Sequence, residues 1–278
     1  MKKLLISTVF AVSALALSAC GTSGSGSGSG SEETGKLIVG ASNVPHAEIL
    51  EEAKPLLEKK GVELEIKTFQ DYILPNKTLA DKEIDANYFQ HIPYLESQMA
   101  ENKNYDFVNA GGIHIEPIGV YSKKYKSLEK LPKGATIIMS NSVADHGRIL
   151  TMLESEGLIK LKEGVDKTKA TVEDIEENKK DIQFKADVEA SLLPQIYNND
   201  EGDAVLINTN YAIDAGLNPQ KDAIALEGSD SPYVNIIAVR KGDENKKEVK
   251  ALVEVLHSDE IKKFIEEKYE GAVVPVDK

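Results

Sequence analysis

Two hydrophobic rhythms take turns along this chain. KLIVGA, residues 36–41, is a short apolar run of strand length. PHAEILEEAKPLLEKKG follows, with Ile49, Leu50, Ala53, Leu56 and Leu57 on one helical face and Gly61 in place to cap it. VELEIKTF then alternates Val62, Leu64 and Ile66 against charged neighbours, the period of a strand. The same reasoning predicts strands at 107–110, 118–122, 135–140, 182–186, 204–208 and 233–240. Helices are predicted at 93–101, 148–156 and 188–197, and twice after Glu244. Such alternation implies an α/β fold with largely parallel, mixed sheets and flanking helices. The middle of the chain contains its own strand–helix series. Two lobes are therefore expected: 36–121 together with 229–278 as lobe I, and 122–228 as lobe II. The Lys/Glu-rich stretch 161–180 reads as a solvated surface excursion.

The N-terminal residues follow another pattern. Lys2 and Lys3 precede an uncharged, mostly apolar run of 14 residues, 4–17, too short to span a bilayer and flanked like a secretory signal. Leu17-Ser18-Ala19-Cys20 ends it and resembles a bacterial lipobox, with residues 1–19 as signal peptide and Cys20 as the lipidated N-terminus. An ordinary cleavage site would leave the chain's single cysteine as a lone thiol in an exported protein. Several acyl chains on one cysteine anchor stably, where one holds only marginally. The Gly/Ser-rich segment 20–35 is a flexible tether, its end-to-end distance roughly 20 Å. The expected location is the cell membrane, lipid-anchored and facing outside the cytoplasm.

Charge narrows the partners. The chain has 33 basic and 46 acidic residues, a formal charge of −13 that becomes −15 once Lys2 and Lys3 leave with the signal. That balance argues against nucleic acid and against a peripheral membrane surface. About 240 residues follow the tether, enough for one large domain or two lobes.

Signals of catalysis are scarce. No G-x-S-x-G, H-E-x-x-H, P-loop or dinucleotide glycine pattern occurs, so neither a catalytic residue nor a cofactor is expected. His46, His91, His114, His146 and His257 are dispersed without ligand spacing, and no metal site is expected. Recognition signals are stronger. KGATIIMSNSVADHGRILTML reads as a strand, a polar loop and a helix opening near Arg148. A helix start offers free N–H groups to an anion, and an arginine there adds a carboxylate grip. The alternative is that Arg148 pairs with a protein acid such as Asp145. Asn208 at the end of a strand and Asn235 inside another each need a partner, in the core or on a ligand. Finally, DANYFQHIPYL, residues 85–95, crowds Tyr88, Phe89, His91 and Tyr94 together in a chain with 6 Phe, 10 Tyr and no Trp.

DYILPNKTLADKEIDANYFQHIPYL, VPHAEIL, GRILTML, INTNYAIDAGLNP and SPYVNIIAVR together resemble the NlpA/MetQ lipoprotein family, in the same order and at similar spacing. These are substrate-binding lipoproteins of methionine ABC importers. The resemblance implies a two-lobed periplasmic-binding-protein-like fold (type II) closing on L-methionine, with an ABC permease as partner and no enzymatic activity. It further implies that Tyr72, Phe89, His91 and Tyr94 surround the ligand side chain and that Arg148 holds its carboxylate. Asn208 and Asn235 would complete the polar shell. Sulfur sits well at aromatic edges, which suits such a box. Alternatives on the same fold are D-methionine, a methionine-containing dipeptide or methionine sulfoxide; a lipid-anchored enzyme or a surface adhesin are readings of other classes. One departure stands out. The family usually carries a proline-containing loop before the arginine, and residues 140–146 here, SNSVADH, have none.

The anchor is directly testable. Cys20→Ala should move the protein from membrane to soluble fractions and abolish the mass of the acyl chains. Unchanged fractionation and mass would exclude lipidation at Cys20.

Overall fold

A computed structural model describes residues 35–228 and 231–277. The expected signal peptide, Cys20 and all of the tether but Gly35 lie outside the described residues. In chain order the strands are β1 (Gly35–Ser42), β2 (Val62–Phe69), β3 (Ala86–His91), β4 (Phe107–Ile115), β5 (Gly119–Tyr121), β6 (Thr136–Ser140), β7 (Ile159–Leu161), β8 (Ile175–Asn178), β9 (Gln183–Val188), β10 (Ala204–Ile207), β11 (Ala225–Leu226), β12 (Val234–Arg240) and β13 (Val274–Pro275). The α-helices are α1 (Glu48–Glu58), α2 (Leu74–Ala80), α3 (Ile92–Glu101), α4 (Val143–Ser155), α5 (Leu193–Asn198), α6 (Thr209–Asp214), α7 (Pro219–Asp222), α8 (Lys247–Leu256) and α9 (Asp259–Tyr269).

The strands form two main sheets. The first runs β13-β4-β12-β3-β1-β2 and the second β11-β5-β10-β6-β9. Both are mixed. β1 pairs parallel with β2 and β3, while β12 and β13 add antiparallel partners to β3 and β4. In the second sheet β6 pairs parallel with β9 and β10, and β5 antiparallel with β10 and β11.

Period-2 patterning explains why both faces of each sheet are covered. Along β12, Ile237 and Val239 enter one apolar cluster with α1, α8 and α9, while Ile236 and Ala238 enter another with Leu79, Leu95 and Phe107. Along β10, Ala204 and Leu206 pack with Ile149 and Leu153 of α4, while Val205 and Ile207 pack with Leu193 at the start of α5. Each sheet thus has its own core. The chain passes from the first sheet to the second between Ile115 and Gly119 and returns between Leu226 and Val234. β5, at the expected boundary of 121/122, pairs within the second sheet, and the expected return at 228/229 falls inside the second connection.

Four local expectations change. β3 was not expected as a strand because all six of its residues are buried, which leaves no alternation to read. The helix predicted at 148–156 begins at Val143, since residues 144–150 are buried on every side and hide the helical period. Residues 161–180 are more than a solvated excursion: β7 pairs with β8, and Leu161, Val165, Ala170 and Ile175 pack on the second core. The region 188–197 splits into the end of β9, a 3-10 turn at Ala190–Leu192 and α5.

Gly147 inside α4 makes the packing of the 161–180 stretch possible. A Cβ there would lie 2.3 Å from the Lys167 carbonyl oxygen and 2.9 Å from that of Thr168. Glycine to alanine in a helix interior normally stabilises by about 1 kcal/mol. Here the sign should reverse: Gly147→Ala should destabilise by about 1–3 kcal/mol, the cost of overpacking, read from denaturant unfolding. A stabilised variant would mean that the 167–168 backbone yields freely.

Candidate functional site

The cavity between the sheets assembles from short segments of both. β3 alternates its side chains: Tyr88 joins the core of the first sheet, Phe89 turns to the cavity. His91 ends β3 and caps α3, its Nδ1 accepting the Tyr94 N–H at 3.1 Å. Pro93 in the first turn of α3 lacks the N–H that such a helix start leaves unpaired anyway, which lets the chain turn directly from strand to helix. Tyr94 then reaches back, its hydroxyl donating to the Tyr72 carbonyl at 2.9 Å. Tyr72, Phe89 and Tyr94 have ring centroids 5.9–6.1 Å apart, in tilted and edge-on arrangements. They form an aromatic wall.

The opposite wall is polar. All seven residues singled out from the sequence, Tyr72, Phe89, His91, Tyr94, Arg148, Asn208 and Asn235, line this one cavity. Sequence reasoning missed Gln90, Glu116, Thr209 and Asn210 and had Asp145 only as a partner for Arg148. Asn210 carried a faint signal, since INTNYA places it two residues after Asn208; it accepts the Tyr72 hydroxyl at 2.6 Å across the cavity. Glu116 carried none, because only the fold places it here.

Two expected placements are corrected. Arg148 is the sixth residue of α4, so the free N–H groups of the helix start lie more than a turn away from it. Asn208 follows β10 and sits at the N-cap position of α6 instead of ending the strand; helix formation by 209–214 claims it. Its Nδ2 donates to Asp145 at 3.2 Å, and its buried Oδ1 has no hydrogen-bond partner. Asn235 does lie within β12, flanked by His91 of β3 and His114 of β4.

Electrostatics divide the polar wall. His91 uses Nδ1 to accept a backbone N–H, so Nε2 carries its proton and faces Asp145 Oδ1 at 3.1 Å. Burial alone would raise the Asp145 carboxyl, but the His91 hydrogen bond and the nearby Arg148 hold it at about 2. Arg148 answers the question left open by the sequence: its main acid partner is Glu227, bound through Nε at 2.9 Å and also through Nη2. Asp145 Oδ1 lies 3.7 Å from Nη1.

Behind the cavity sits a buried triad of His46, His114 and Glu116, whose candidate metal-ligating atoms lie within 4.8 Å of one another. The Tyr88 hydroxyl donates to His114 Nδ1, which leaves Nε2–H to donate to Glu116 Oε1 at 2.8 Å. His46 Nε2 faces both Glu116 Oε1 at 3.2 Å and Asn235 Oδ1 at 3.1 Å. A metal ion bound through the two Nε2 atoms would have to displace the protons they carry, because an imidazole binds metal through an unprotonated nitrogen; His46 Nδ1 is buried without a hydrogen-bond partner. Burial lowers His46 to about 4 and His114 to about 3; it raises Glu116, against the pull of His46 and Arg148. The triad is therefore held with neutral imidazoles.

With the geometry in hand, comparison with known proteins is specific. Residues 37–277 match the family described as NlpA lipoprotein. The chain is 55% identical to the methionine-binding lipoprotein MetQ of Bacillus subtilis, over 99% of each chain. It is 36% identical to the D-methionine-binding lipoprotein MetQ of Escherichia coli, over 95% of this chain and 94% of that one. A solved nutrient-binding protein of Burkholderia cenocepacia bound to methionine superposes with a TM-score of 0.81, at 42% identity, covering 87% of this chain and 100% of the other.

The triad generates a pH prediction. Both histidines have folded pKa values below the ordinary 6.5, so between about 3 and 6.5 the unfolded chain binds more protons than the native one. Their contribution is intact above pH 6.5 and is lost as pH falls toward 3. Glu116, raised by burial, opposes this from its ordinary value of 4.5 upward. Melting temperature should therefore fall on acidification below pH 6.5, and less steeply in His114→Gln. Equal slopes in both proteins would show that His114 is not the group titrating.

Proposed function

Because this chain belongs to the NlpA lipoprotein family, we propose that it is a lipid-anchored solute-binding protein that captures L-methionine and hands it to the permease of an ABC importer. The ligand sits between two lobes, one on each main sheet; because β5 belongs to the second sheet, the first lobe ends before 119 instead of at 121, and the second runs from there to the connection at 227–233. The observation that carries this reading is a single cavity with an aromatic wall facing a charged one.

Each wall suits one end of the ligand. A methionine side chain is apolar with a polarisable sulfur, which gains from aromatic edges such as those of Tyr72, Phe89 and Tyr94. The zwitterionic end needs both signs of charge. Arg148 takes the carboxylate, and the acids Asp145 and Glu116 supply negative potential for the ammonium. The unpaired Asn208 Oδ1 accepts from the ligand, and Asn235 and His91 complete the polar surround. Hydrogen bonds between Tyr72 and Asn210, and between the Tyr211 hydroxyl and the Gln70 carbonyl, hold the two sides together over this site.

No catalytic step is assigned. Cys20 serves the anchor, and His91 of the cavity and His114 behind it are committed to carboxylate, backbone and tyrosine partners instead of activating a nucleophile. Membrane attachment is assigned to Cys20 on the strength of the lipobox-like Leu17-Ser18-Ala19-Cys20; among the described residues no helix is long and apolar enough to cross a membrane. D-methionine is a second reading, favoured by the name of the Escherichia coli relative.

Calorimetric titration of ligand-free protein separates the two walls. Arg148→Ala should cost about 2–5 kcal/mol of binding for every amino acid tested, since all share the carboxylate. Norleucine, with a methylene for sulfur, should bind the wild type about 0.3–1.5 kcal/mol more weakly than methionine, the scale of a sulfur–aromatic contact. Methionine sulfoxide should lose more, having a polar oxygen to bury. Wild-type affinity in Arg148→Ala would remove the carboxylate assignment. Tighter binding of D-methionine or of a methionine dipeptide would change the ligand and leave the fold's role intact.

A further inference from the structure

Arg148 has five N–H hydrogens, and the structure accounts for three of them. Nε–H donates to Glu227 Oε2 at 2.9 Å. One Nη2 hydrogen goes to the Glu116 carbonyl at 2.6 Å and the other to the same Glu227 oxygen. Nη1 is left over, with Asp145 Oδ1 at 3.7 Å, outside hydrogen-bond range. One face of the guanidinium lies over the Tyr233 ring, 4.7 Å from its centroid.

Glu227 is itself held from two sides. Its Oε2 accepts the Ile118 N–H at 3.1 Å and its Oε1 accepts the Ser231 hydroxyl at 2.9 Å. Its backbone N–H donates to the Ile118 carbonyl at 3.0 Å. Glu116 and Ile118 belong to one connection between the sheets, and Glu227, Ser231 and Tyr233 to the other. The arginine of the second sheet is thus tied to both connections at once.

We propose that Glu227 is a positioning residue for ligand recognition: it takes up the Nε/Nη2 edge of Arg148, so that a ligand carboxylate is met end-on by Nη1, and it joins that contact to the two connections about which the lobes would close. The inference rests on Arg148 receiving the ligand carboxylate. A freely rotating guanidinium would offer its Nε/Nη2 fork, the geometry suited to bidentate pairing. With that edge occupied, Nη1 is the donor pair that remains.

The sign of one substitution distinguishes positioning from charge. Glu227→Gln keeps an oxygen able to accept from Arg148 and Ile118 while removing a negative charge that competes with the ligand carboxylate. Glu227→Ala removes the acceptor altogether. Methionine affinity is expected to fall roughly 10- to 100-fold in Glu227→Ala, the loss of hydrogen bonds to a charged group, and to stay at or above the wild-type level in Glu227→Gln. Ser231→Ala, which removes only the support of Oε1, should weaken binding less, in the same direction, and it covers the case in which Glu227→Ala does not fold.

A second readout needs no ligand. The chain has only two arginines, Arg148 and Arg240. Their Nε–H resonances can be assigned with Arg240→Lys. Arg148 Nε–H should exchange slowly with water in the wild type and in Glu227→Gln, and fast in Glu227→Ala. Wild-type affinity and slow exchange in Glu227→Ala and Ser231→Ala would overturn the proposal. So would an equal loss of affinity in Glu227→Gln and Glu227→Ala, which would assign the effect to charge. If the wild type itself binds no methionine, the functional reading fails, and Nε–H exchange still decides whether Glu227 holds Arg148.

Discussion

An arginine only 4% exposed, Arg148, is the constraint around which this site is organised. Removing an ion from water costs several kcal/mol unless charge and hydrogen bonds compensate. Glu227, the Glu116 carbonyl and the Tyr233 ring supply that compensation for Arg148, and all three lie on the segments joining the two sheets. Those segments must therefore run side by side at one spot, which two hydrogen bonds secure: the Glu227 N–H to the Ile118 carbonyl, and the Ile118 N–H to the Glu227 carboxylate. Asp145, three residues before Arg148 on the same helix, then needs partners of its own and finds them in His91 and Asn208. Satisfying one buried cation thus recruits residues from both sheets.

The remaining polar groups follow the same logic with less charge. The triad of His46, His114 and Glu116 keeps its imidazoles neutral and points their Nε2–H groups at one carboxylate, with Tyr88 closing the far end. Gln90, Asn76 and Asn87 form a separate buried amide network, each side chain satisfied by the others. Against these rigid surroundings the aromatic wall is only loosely specified in chemistry. Tyr72 and Tyr94 are held by their hydroxyls, while Phe89 is held by packing alone. Orientation of a ligand falls to the polar wall, and preference among side chains falls to the aromatic one.

Much of this was legible before any fold was known, and the residues show why. β1, β2, β6, β10 and β12 announce themselves because period-2 alternation, or a short β-branched run, survives wherever a strand has distinct surroundings. α1, α8 and α9 do so because one face of each meets water. Two of the elements that escaped were buried on every side: β3 has no exposed residue to set a rhythm, and the first turns of α4 carry their buried polar residues where the sequence suggests a loop. Mixed sheets were expected; the antiparallel contribution of β12 and β13 depends on how the chain returns from the second sheet.

The site divides in the same way. The aromatic cluster, Arg148 and the two asparagines were identifiable because unusual residues in unusual local settings need a partner, whatever the fold. Residue chemistry and local period, the terms a sequence states directly, determined these candidates and the α/β class. Partner choice was decided elsewhere. Glu227 stands 79 positions from Arg148, and His46 stands 189 from Asn235. Nothing in either stretch specifies the other, since hydrogen bonding and Coulomb attraction act over a few ångströms in space. Only strand order, register and the two connections between the sheets bring those groups within that range.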